Sequence, residues 1–401
     1  MDNKTKRLLI IVAVLMALVF ALVFTVGIIP KSETQNSTDV TEAFKEEVLS
    51  TEAEDKSEMP KDTLTLSFIG DCIIGSESGK INDGNFSYMA ANGEHSYFFE
   101  KVRDELSKDD FTIANVECVL TDRELEKIGK DYDPAFWYKA PTSSTDILTL
   151  GSVEVASVVN NHTGDYGEEG YNDTVEALKK YGLQVGENLT PLYIEKNGIK
   201  IGLLSCNLWS SYNVSYIEEA LETMQDKCEY KIVFFHGGTE GVHEPDNYKI
   251  DACRYLAESG LCDLIVGSHP HVLQPMEVVN DVPILYSLGN FCYSANNYPE
   301  NKTVIFRVEL KKYNNEIATK TELVPCYVYT GYINNYQPAI MPRGEDRDEV
   351  LLFMAQKVEH KIETTAPTTA APTTVAPTEN PVWEDYEVQE TTEFMGVPVP
   401  Y

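Results

Sequence analysis

Positive charge is scarce in this chain: Lys and Arg total 32 against 64 Asp and Glu in 401 residues, a net charge of -32. That imbalance repels polyanions over most of the surface, so a groove tracking nucleic-acid phosphates is excluded as the main activity and no nucleic-acid partner is expected. Ordered cysteine spacing is missing too. Eight cysteines occur, at 72, 118, 206, 228, 253, 262, 292 and 326, yet none forms a C-x-x-C pair and no interval repeats. No disulfide framework is legible in these spacings, the absence of Cys pairs argues against a closed structural zinc site, and 401 residues are too many for a small disulfide-stapled scaffold. Cys72, Cys118, Cys206, Cys262 and Cys292 lie in or beside apolar runs and are expected as small buried hydrophobes. Apolar residues are not lacking: 43% hydrophobic and 10% aromatic content provides for a sizeable core and rules out a wholly disordered polymer.

The first thirty residues set an expectation about compartment. Leu8 to Ile29 is a run of 22 uncharged residues, and a helix of that length reaches roughly 33 Å, enough for a hydrocarbon core of about 30 Å. Lys4, Lys6 and Arg7 precede it and an acidic stretch follows, so the N-terminus is expected in the cytoplasm and the bulk of the chain outside the cell, on a single membrane span. A cleaved signal peptide fits less well: the apolar run exceeds the usual 7–15 residues or so and no small-x-small site follows. Without a cysteine after the run, a lipid anchor has no attachment point.

Composition divides what remains. Residues 31–63 read as an acidic solvated stalk, 64–345 as a folded domain, 346–363 as a C-terminal helix, 364–381 as a Thr/Pro-rich linker and 382–401 as an acidic tail. Inside the domain, short β-branched runs predict strands at Leu64–Gly70, Phe111–Asn115, Val153–Val159, Lys200–Cys206, Lys231–His236, Asp263–Gly267 and Val282–Ser287. Between them, apolar residues at three-to-four spacing predict helices at Tyr97–Lys108, Tyr171–Tyr181, Tyr216–Met224 and Tyr248–Ser259. That alternation implies an α/β fold with buried parallel strands. Thr303–Leu310 and Glu322–Tyr329 lack an intervening helix and predict an antiparallel pair, and Glu345–His360 predicts a last amphipathic helix.

The chemistry sits where the strands end. The first strand ends in Asp71, the second in Asn115-Val116-Glu117, the third in Asn160-Asn161-His162, the fifth in His236, and the sixth in Ser268-His269-Pro270-His271. In an open α/β sheet the carboxyl ends of parallel strands share one edge, where ligands bind. Imidazole nitrogens with carboxylate and amide oxygens are donors suited to Zn, Mn or Fe. Each residue alone is more often a turn former or a satisfied core histidine, so the joint placement carries the reading.

These blocks resemble a known family. Gly70-Asp71, Asn115-x-Glu117, Asn160-Asn161-His162-x-x-Asp165-x-Gly167, His236-Gly237, Gly267-Ser268-His269-Pro270-His271-Val272 and Tyr286-Ser287-Leu288-Gly289-Asn290-Phe291 look like the signature of bacterial CapA-type capsule-synthesis proteins, within the calcineurin-like metallophosphoesterase superfamily. The resemblance covers about residues 64–298. It implies a four-layer metallophosphoesterase-like α/β sandwich, here preceded by one N-terminal transmembrane helix, with one or two divalent metal ions. Asp71 and His271 would hold one ion, Asn161, His236 and His269 the other, and Glu117 would bridge them. His162, oriented by Asp165, would be the proton donor or charge stabiliser at the leaving group. The implied role is in synthesis or surface attachment of poly-γ-glutamate, alongside other capsule-synthesis membrane proteins. The chain departs from the pattern at Ile73, where the superfamily's Asp-x-His opening has His, and at Gly237 and Ser76, where many CapA-type sequences have Trp and Arg.

Three functions follow as expectations: a surface-anchored metal-dependent hydrolase or transferase, a non-catalytic polymer-binding component of a membrane synthesis complex, or a general extracytoplasmic metallophosphoesterase. His243, in the loop after His236, is expected as a solvated histidine.

Overall fold

The computed structural model describes residues 62–361, apart from 83, 132, 133 and 315. The expected membrane span, most of the stalk, the Thr/Pro linker and the acidic tail lie outside the described residues. Among the described residues no helix is long and apolar enough to cross a membrane.

In chain order the strands are β1 (Thr63–Ile73), β2 (Ser76–Glu77), β3 (Phe111–Val116), β4 (Val119–Leu120), β5 (Tyr138–Ala140), β6 (Val155–Ser157), β7 (Gln184–Gly186), β8 (Leu192–Lys196), β9 (Ile199–Asn207), β10 (Tyr230–His236), β11 (Leu264–Ser268), β12 (Leu273–Val279), β13 (Val282–Leu288), β14 (Asn290–Tyr293), β15 (Thr303–Tyr313), β16 (Glu316–Tyr327) and β17 (Ala339–Ile340). The helices are α1 (Phe86–Asn92), α2 (Arg103–Leu106), α3 (Thr145–Leu150), α4 (Gly167–Lys180), α5 (Asn213–Glu222), α6 (Asn247–Glu258) and α7 (Glu345–Met354).

Two sheets dominate. The first runs β17-β16-β15-β1-β3-β6-β7 with β14 also beside β1, and the second runs β12-β13-β11-β10-β9-β8. The strands at the heart of each, β1-β3-β6-β7 and β9-β10-β11-β13, are parallel. Strand periodicity assigns the faces. On β10, Ile232 and Phe234 point into the core between the sheets, whereas Val233 and Phe235 pack under helices on the outer side. On β1, Leu64, Leu66 and Phe68 face the same inter-sheet core, while Ile69 and Cys72 pack with helical residues such as Leu106, Ile147 and Leu178. Helix, sheet, sheet and helix therefore stack as four layers, with α5 and α6 covering the second sheet through Ile217, Leu221, Ile250 and Leu256.

One break in the first sheet opens the functional edge. Strand β1 pairs with β15 up to Phe68 and with β14 from Asp71 onward. The exchange needs glycine at 70, because a Cβ there would lie 2.0 Å from the Gly289 carbonyl oxygen. Asp71 leaves the switch with its backbone N–H donated to that carbonyl at 2.9 Å.

Two expected helices are shorter than their apolar spacing suggests. Over Tyr97–Lys108 the chain forms a 3-10 turn (His95–Phe99) and then α2, because Phe98 stacks on Phe86 (ring centroids 4.4 Å apart) and Phe99 reaches Phe291 (5.8 Å). Docking both aromatics tightens the first turn and breaks the continuous helix at Val102. Helix α7 buries Val350 and Met354 in the inter-sheet core and stops at Met354. Val358 then buries beside the second sheet's helices and its carbonyl accepts from Arg254 at 3.0 Å, a path that a helix continued to His360 could not follow. The antiparallel pair expected from Thr303 onward is β15 with β16, paired over eleven positions.

Candidate metal centre

The carboxyl ends of β1, β3, β10 and β11 and the loop after β6 meet at the edge opened by the switch at Gly70. They bring two overlapping groups of donors together: Asp71, Glu117 and His271 form one, Glu117, His236 and His269 the other, with ligand atoms in each group within 4.8 Å of one another. Asp71 and Glu117 are fully buried, and His236 and His269 nearly so. Asn161 Oδ1 joins the second group, 2.8 Å from His236 Nε2. The six expected ligands are thus gathered, with Glu117 common to both groups.

Side chains behind these donors hold their geometry. Asn115 spends both amide hydrogens on the carboxylates, donating to Asp71 Oδ1 at 2.8 Å and to Glu117 Oε2 at 3.2 Å, and its oxygen accepts from Asn160 at 3.0 Å. Ser268 fixes a tautomer. Its hydroxyl donates to the Phe235 carbonyl (3.1 Å), so the serine oxygen accepts from His236 Nδ1 (3.0 Å), and His236 Nε2 presents a lone pair. Asn290 likewise accepts from His271 Nδ1 at 3.0 Å, its own amide donating to the His271 carbonyl at 2.9 Å.

A cation fits this donor set. Glu117 Oε1 is buried with no hydrogen-bond partner, and it stands 3.6 Å from His236 Nε2 and 3.8 Å from His271 Nε2. His236 Nε2 has two close neighbours, the Asn161 oxygen at 2.8 Å and His269 Nδ1 at 3.0 Å, and a positive ion drawn to all three atoms resolves the approach of its lone pair to the amide oxygen. The backbone is strained here as well: His269 and His271 have φ of 98° and 59°, left-handed values that cost on the order of 1–3 kcal/mol each. Together they turn both imidazoles back toward the strand ends.

The electrostatics of these buried donors express the same frustration. Burial drives the Glu117 carboxyl well above the ordinary range, opposed by His271 and reinforced by Asp71. Burial drives His236 and His269 well below theirs, with neighbouring imidazoles adding to the shift. Burial also pulls His271 down, but Glu117 and Asp71 outweigh it and raise that imidazole to about 9. A buried Glu117 carboxyl favouring its neutral form and His236 and His269 favouring the unprotonated one are what burial without a counter-ion produces, and a divalent ion reverses the first while exploiting the second.

His162 stands outside both ligand groups. Its Nδ1 lies 2.8 Å from Asp165 Oδ2, which also accepts from the Tyr138 backbone N–H at 2.8 Å, while Asp165 Oδ1 pairs with Lys130 Nζ at 2.5 Å. With Nδ1–H given to Asp165, Nε2 is left for a ligand. Burial lowers the His162 pKa and Asp165 partly restores it.

Some contributors were silent in the sequence. Trp209, on the loop after β9, sets its ring edge-on to two histidines, with centroids 4.8 Å from His269 and 5.6 Å from His236, and keeps 39% of its surface exposed. Lys249 is fully buried behind the His236 loop and donates to Gln274 Oε1 (2.6 Å) and to the Gly237 and Tyr286 carbonyls (3.3 Å each). Gly237 admits no side chain, since a Cβ would fall 1.9 Å from the Leu208 carbonyl oxygen. His243 is half-buried, bridging the Leu273 carbonyl (2.8 Å) and Glu300 (3.0 Å) instead of facing only solvent. Ile73, at the position where a further histidine ligand was missing, lies 1% exposed in the core. Among the described residues all eight cysteines are free thiols, seven of them buried.

A layered α/β sandwich with carboxylates, an amide and imidazoles converging at its strand ends defines a metallophosphoesterase-like class of protein. The model of the family described as bacterial capsule synthesis protein PGA_cap matches residues 65–295, and the chain belongs to that family. It is 26% identical over 285 residues to the PGA biosynthesis protein CapA of Bacillus subtilis (strain 168), covering 64% of this chain and 72% of that protein. It is 25% identical over 255 residues to the capsule biosynthesis protein CapA of Bacillus anthracis, covering 57% of this chain and 60% of that one. A crystal structure of a hypothetical protein from Thermus thermophilus aligns with 65% of this chain and 99% of its own at 15% identity and a TM-score of 0.41, too loose a likeness to inform function. Every candidate ligand lies inside the family match.

Proposed function

We propose that this chain serves capsule biosynthesis as a metal-dependent hydrolase or transferase, acting on a phosphoester or on an amide of a glutamyl polymer, outside the cell and held there by the span Leu8–Ile29. Family membership and the two CapA relatives support the capsule role. The observation that carries the catalytic reading is Glu117 Oε1: a buried carboxylate oxygen without a donor, placed between two imidazoles.

Asp71 and His271, sharing Glu117, would hold one divalent ion, and His236, His269 and Asn161 the other. Bound there, such ions supply Lewis-acid polarisation of a phosphoryl or carbonyl oxygen. The protein's own residues do the rest. Asn115 keeps both carboxylates turned inward, and Ser268 keeps Nε2 of His236 unprotonated. His162 offers Nε2 to the leaving group as proton donor while Asp165 holds its ring and stabilises the imidazolium. Trp209 shields the imidazoles from solvent on one side and gives a substrate an aromatic edge to lie against. The membrane placement rests on the length of the apolar run and on Lys4, Lys6 and Arg7 before it.

The test uses detergent-solubilised full chain reconstituted with Mn, Zn or Fe, incubated with poly-γ-glutamate oligomers and separately with a nitrophenyl phosphodiester. Metal-dependent cleavage or transfer of the polymer, abolished in His269→Ala with the fold intact, is expected. Fast turnover of the diester alone would favour a general phosphoesterase. Capsule production that survives His269→Ala but fails when Leu8–Ile29 is deleted would replace the enzyme reading with a polymer-guiding one.

A further inference from the structure

The loop that follows β10 carries a carboxylate that none of the signature blocks claimed. Glu240 reaches toward the imidazoles from the solvent side: Oε1 lies 4.0 Å from His269 Nε2, and the ligand atoms of Glu240, His269 and His271 lie within 4.8 Å of one another. Unlike Asp71 and Glu117, whose side chains are fully buried, Glu240 is 61% exposed at the side chain.

Its position is set by the fold. Gly241 donates its N–H to the Pro270 carbonyl at 2.8 Å, tying the loop to the turn between His269 and His271. On the other side of Glu240, Thr239 is clamped by Asp246, through its backbone N–H to Oδ2 (2.9 Å) and its hydroxyl to Oδ1 (2.8 Å). Lys249 holds the Gly237 carbonyl from beneath. A backbone fixed on both sides keeps a carboxylate poised at the mouth of the centre, and the side chain alone remains free to swing.

Charge balance gives that carboxylate a task. Two divalent ions bring four positive charges, Asp71 and Glu117 return two, and the remaining donors, three imidazoles and the Asn161 amide, are neutral. Ile73 contributes no ligand. A third carboxylate relieves the excess, which is costly in a poorly solvated site.

Resting on the metal-centre reading, we propose that Glu240 is a third carboxylate ligand on the open face of the centre, an exchangeable one that gives way when an anionic substrate oxygen arrives. Its exposure separates it from the buried ligands: they hold the metal permanently, and Glu240 closes the coordination shell only between turnovers.

The experiment strips the full chain of metal, titrates it with Mn2+ by calorimetry, and records the visible spectrum of the Co2+-loaded protein, comparing wild type with Glu240→Gln, Glu244→Gln and Asp71→Ala. Glu240→Gln is expected to weaken the looser of the bound ions at least tenfold and to shift the Co2+ bands, while Glu244→Gln, on the same loop, leaves both unchanged. Isotherms and spectra for Glu240→Gln that match wild type, with Asp71→Ala still losing metal, would overturn the ligand role and leave the metal centre standing. An equal loss in Glu244→Gln would also overturn it, as a general field effect. If wild type binds no Mn2+ or Co2+, the metal centre itself falls and Glu240's role with it.

Discussion

The backbone N–H of His269 donates to Asp71 Oδ2 at 3.2 Å, joining residues 198 positions apart in the chain. The contact crosses from one sheet to the other: Asp71 leaves the first sheet at the partner switch on β1, and His269 leaves the second just past the end of β11. A metal held here is therefore a clamp between the two halves of the sandwich.

Ligand removal is the most direct prediction. Asp71→Ala and His269→Ala each take a donor from one of the two ligand groups sharing Glu117. The purified variants are expected to lose at least one equivalent of metal by elemental analysis while keeping wild-type far-ultraviolet circular dichroism. Metal content equal to wild type in both would reject the assigned ligands.

Because the candidate ligands come from both sheets, removing a metal bound there by chelation should destabilise the whole domain. At a free metal concentration a hundredfold above Kd, binding to the folded state alone contributes about 2.7 kcal/mol. Calorimetry with and without a chelator is expected to show a drop in Tm of several degrees, reversed by adding metal back. The loss should be smaller in Asp71→Ala, which keeps only the Glu117, His236 and His269 group intact.

The Asp165–His162 pair is proposed for proton transfer, which would set it apart from the ligands. His162→Ala is expected to lower turnover roughly 10²–10⁴-fold, the usual contribution of a positioned acid or base, with metal content unchanged. Asp165→Asn would free the His162 ring and disturb Lys130, giving a smaller fall in turnover and an altered pH profile. A His162 variant that loses metal along with activity would instead place that imidazole among the ligands.

How much of this was legible in the sequence depended on what each residue leans on. Asp71, Glu117, Asn161, His236, His269 and His271 follow directly from hydrophobic runs, because each run ends where a strand must end and parallel strands end on one edge. Trp209 and Glu240 belong to loops whose path is set by Leu208 packing on Gly237 and by Asp246 gripping Thr239, and neither contact has a periodic signal. The small sheet of β2, β5 and β4 was invisible for a related reason, since strands of two or three residues show no alternation. The helix expected over Tyr97–Lys108 had the right apolar spacing, and aromatic docking at Phe98 and Phe99 decided otherwise.

Trp209 offers a test of substrate contact. Its indole is braced edge-on against His236 and His269 yet keeps an exposed face. Trp209→Phe should preserve most activity, whereas Trp209→Ala is expected to raise KM several-fold, in line with the roughly 1 kcal/mol an aromatic contact supplies beyond its area. A change in kcat alone, with KM fixed, would assign Trp209 to holding the imidazoles instead.

The buried Lys249 predicts a pH dependence of stability. Burial lowers its ammonium from 10.5 to about 8, with Cys253 and Asp246 opposing the shift. As pH rises from about 8 toward 10.5 the folded state releases this proton before the unfolded chain does, so the unfolded chain binds more protons and stability increases with pH. Below about 8 both states are protonated and the full cost of burying the charge remains. Lys249→Met removes the titration, while leaving the Gly237 and Tyr286 carbonyls and Gln274 Oε1 without their donor. The variant should therefore be less stable than wild type, and the gap should widen by on the order of 2 kcal/mol between pH 7.5 and 9.5 as wild type gains and the variant does not. Urea midpoints at the two pH values measure it, and parallel pH dependences in the two proteins would show that Lys249 keeps an ordinary pKa in the fold.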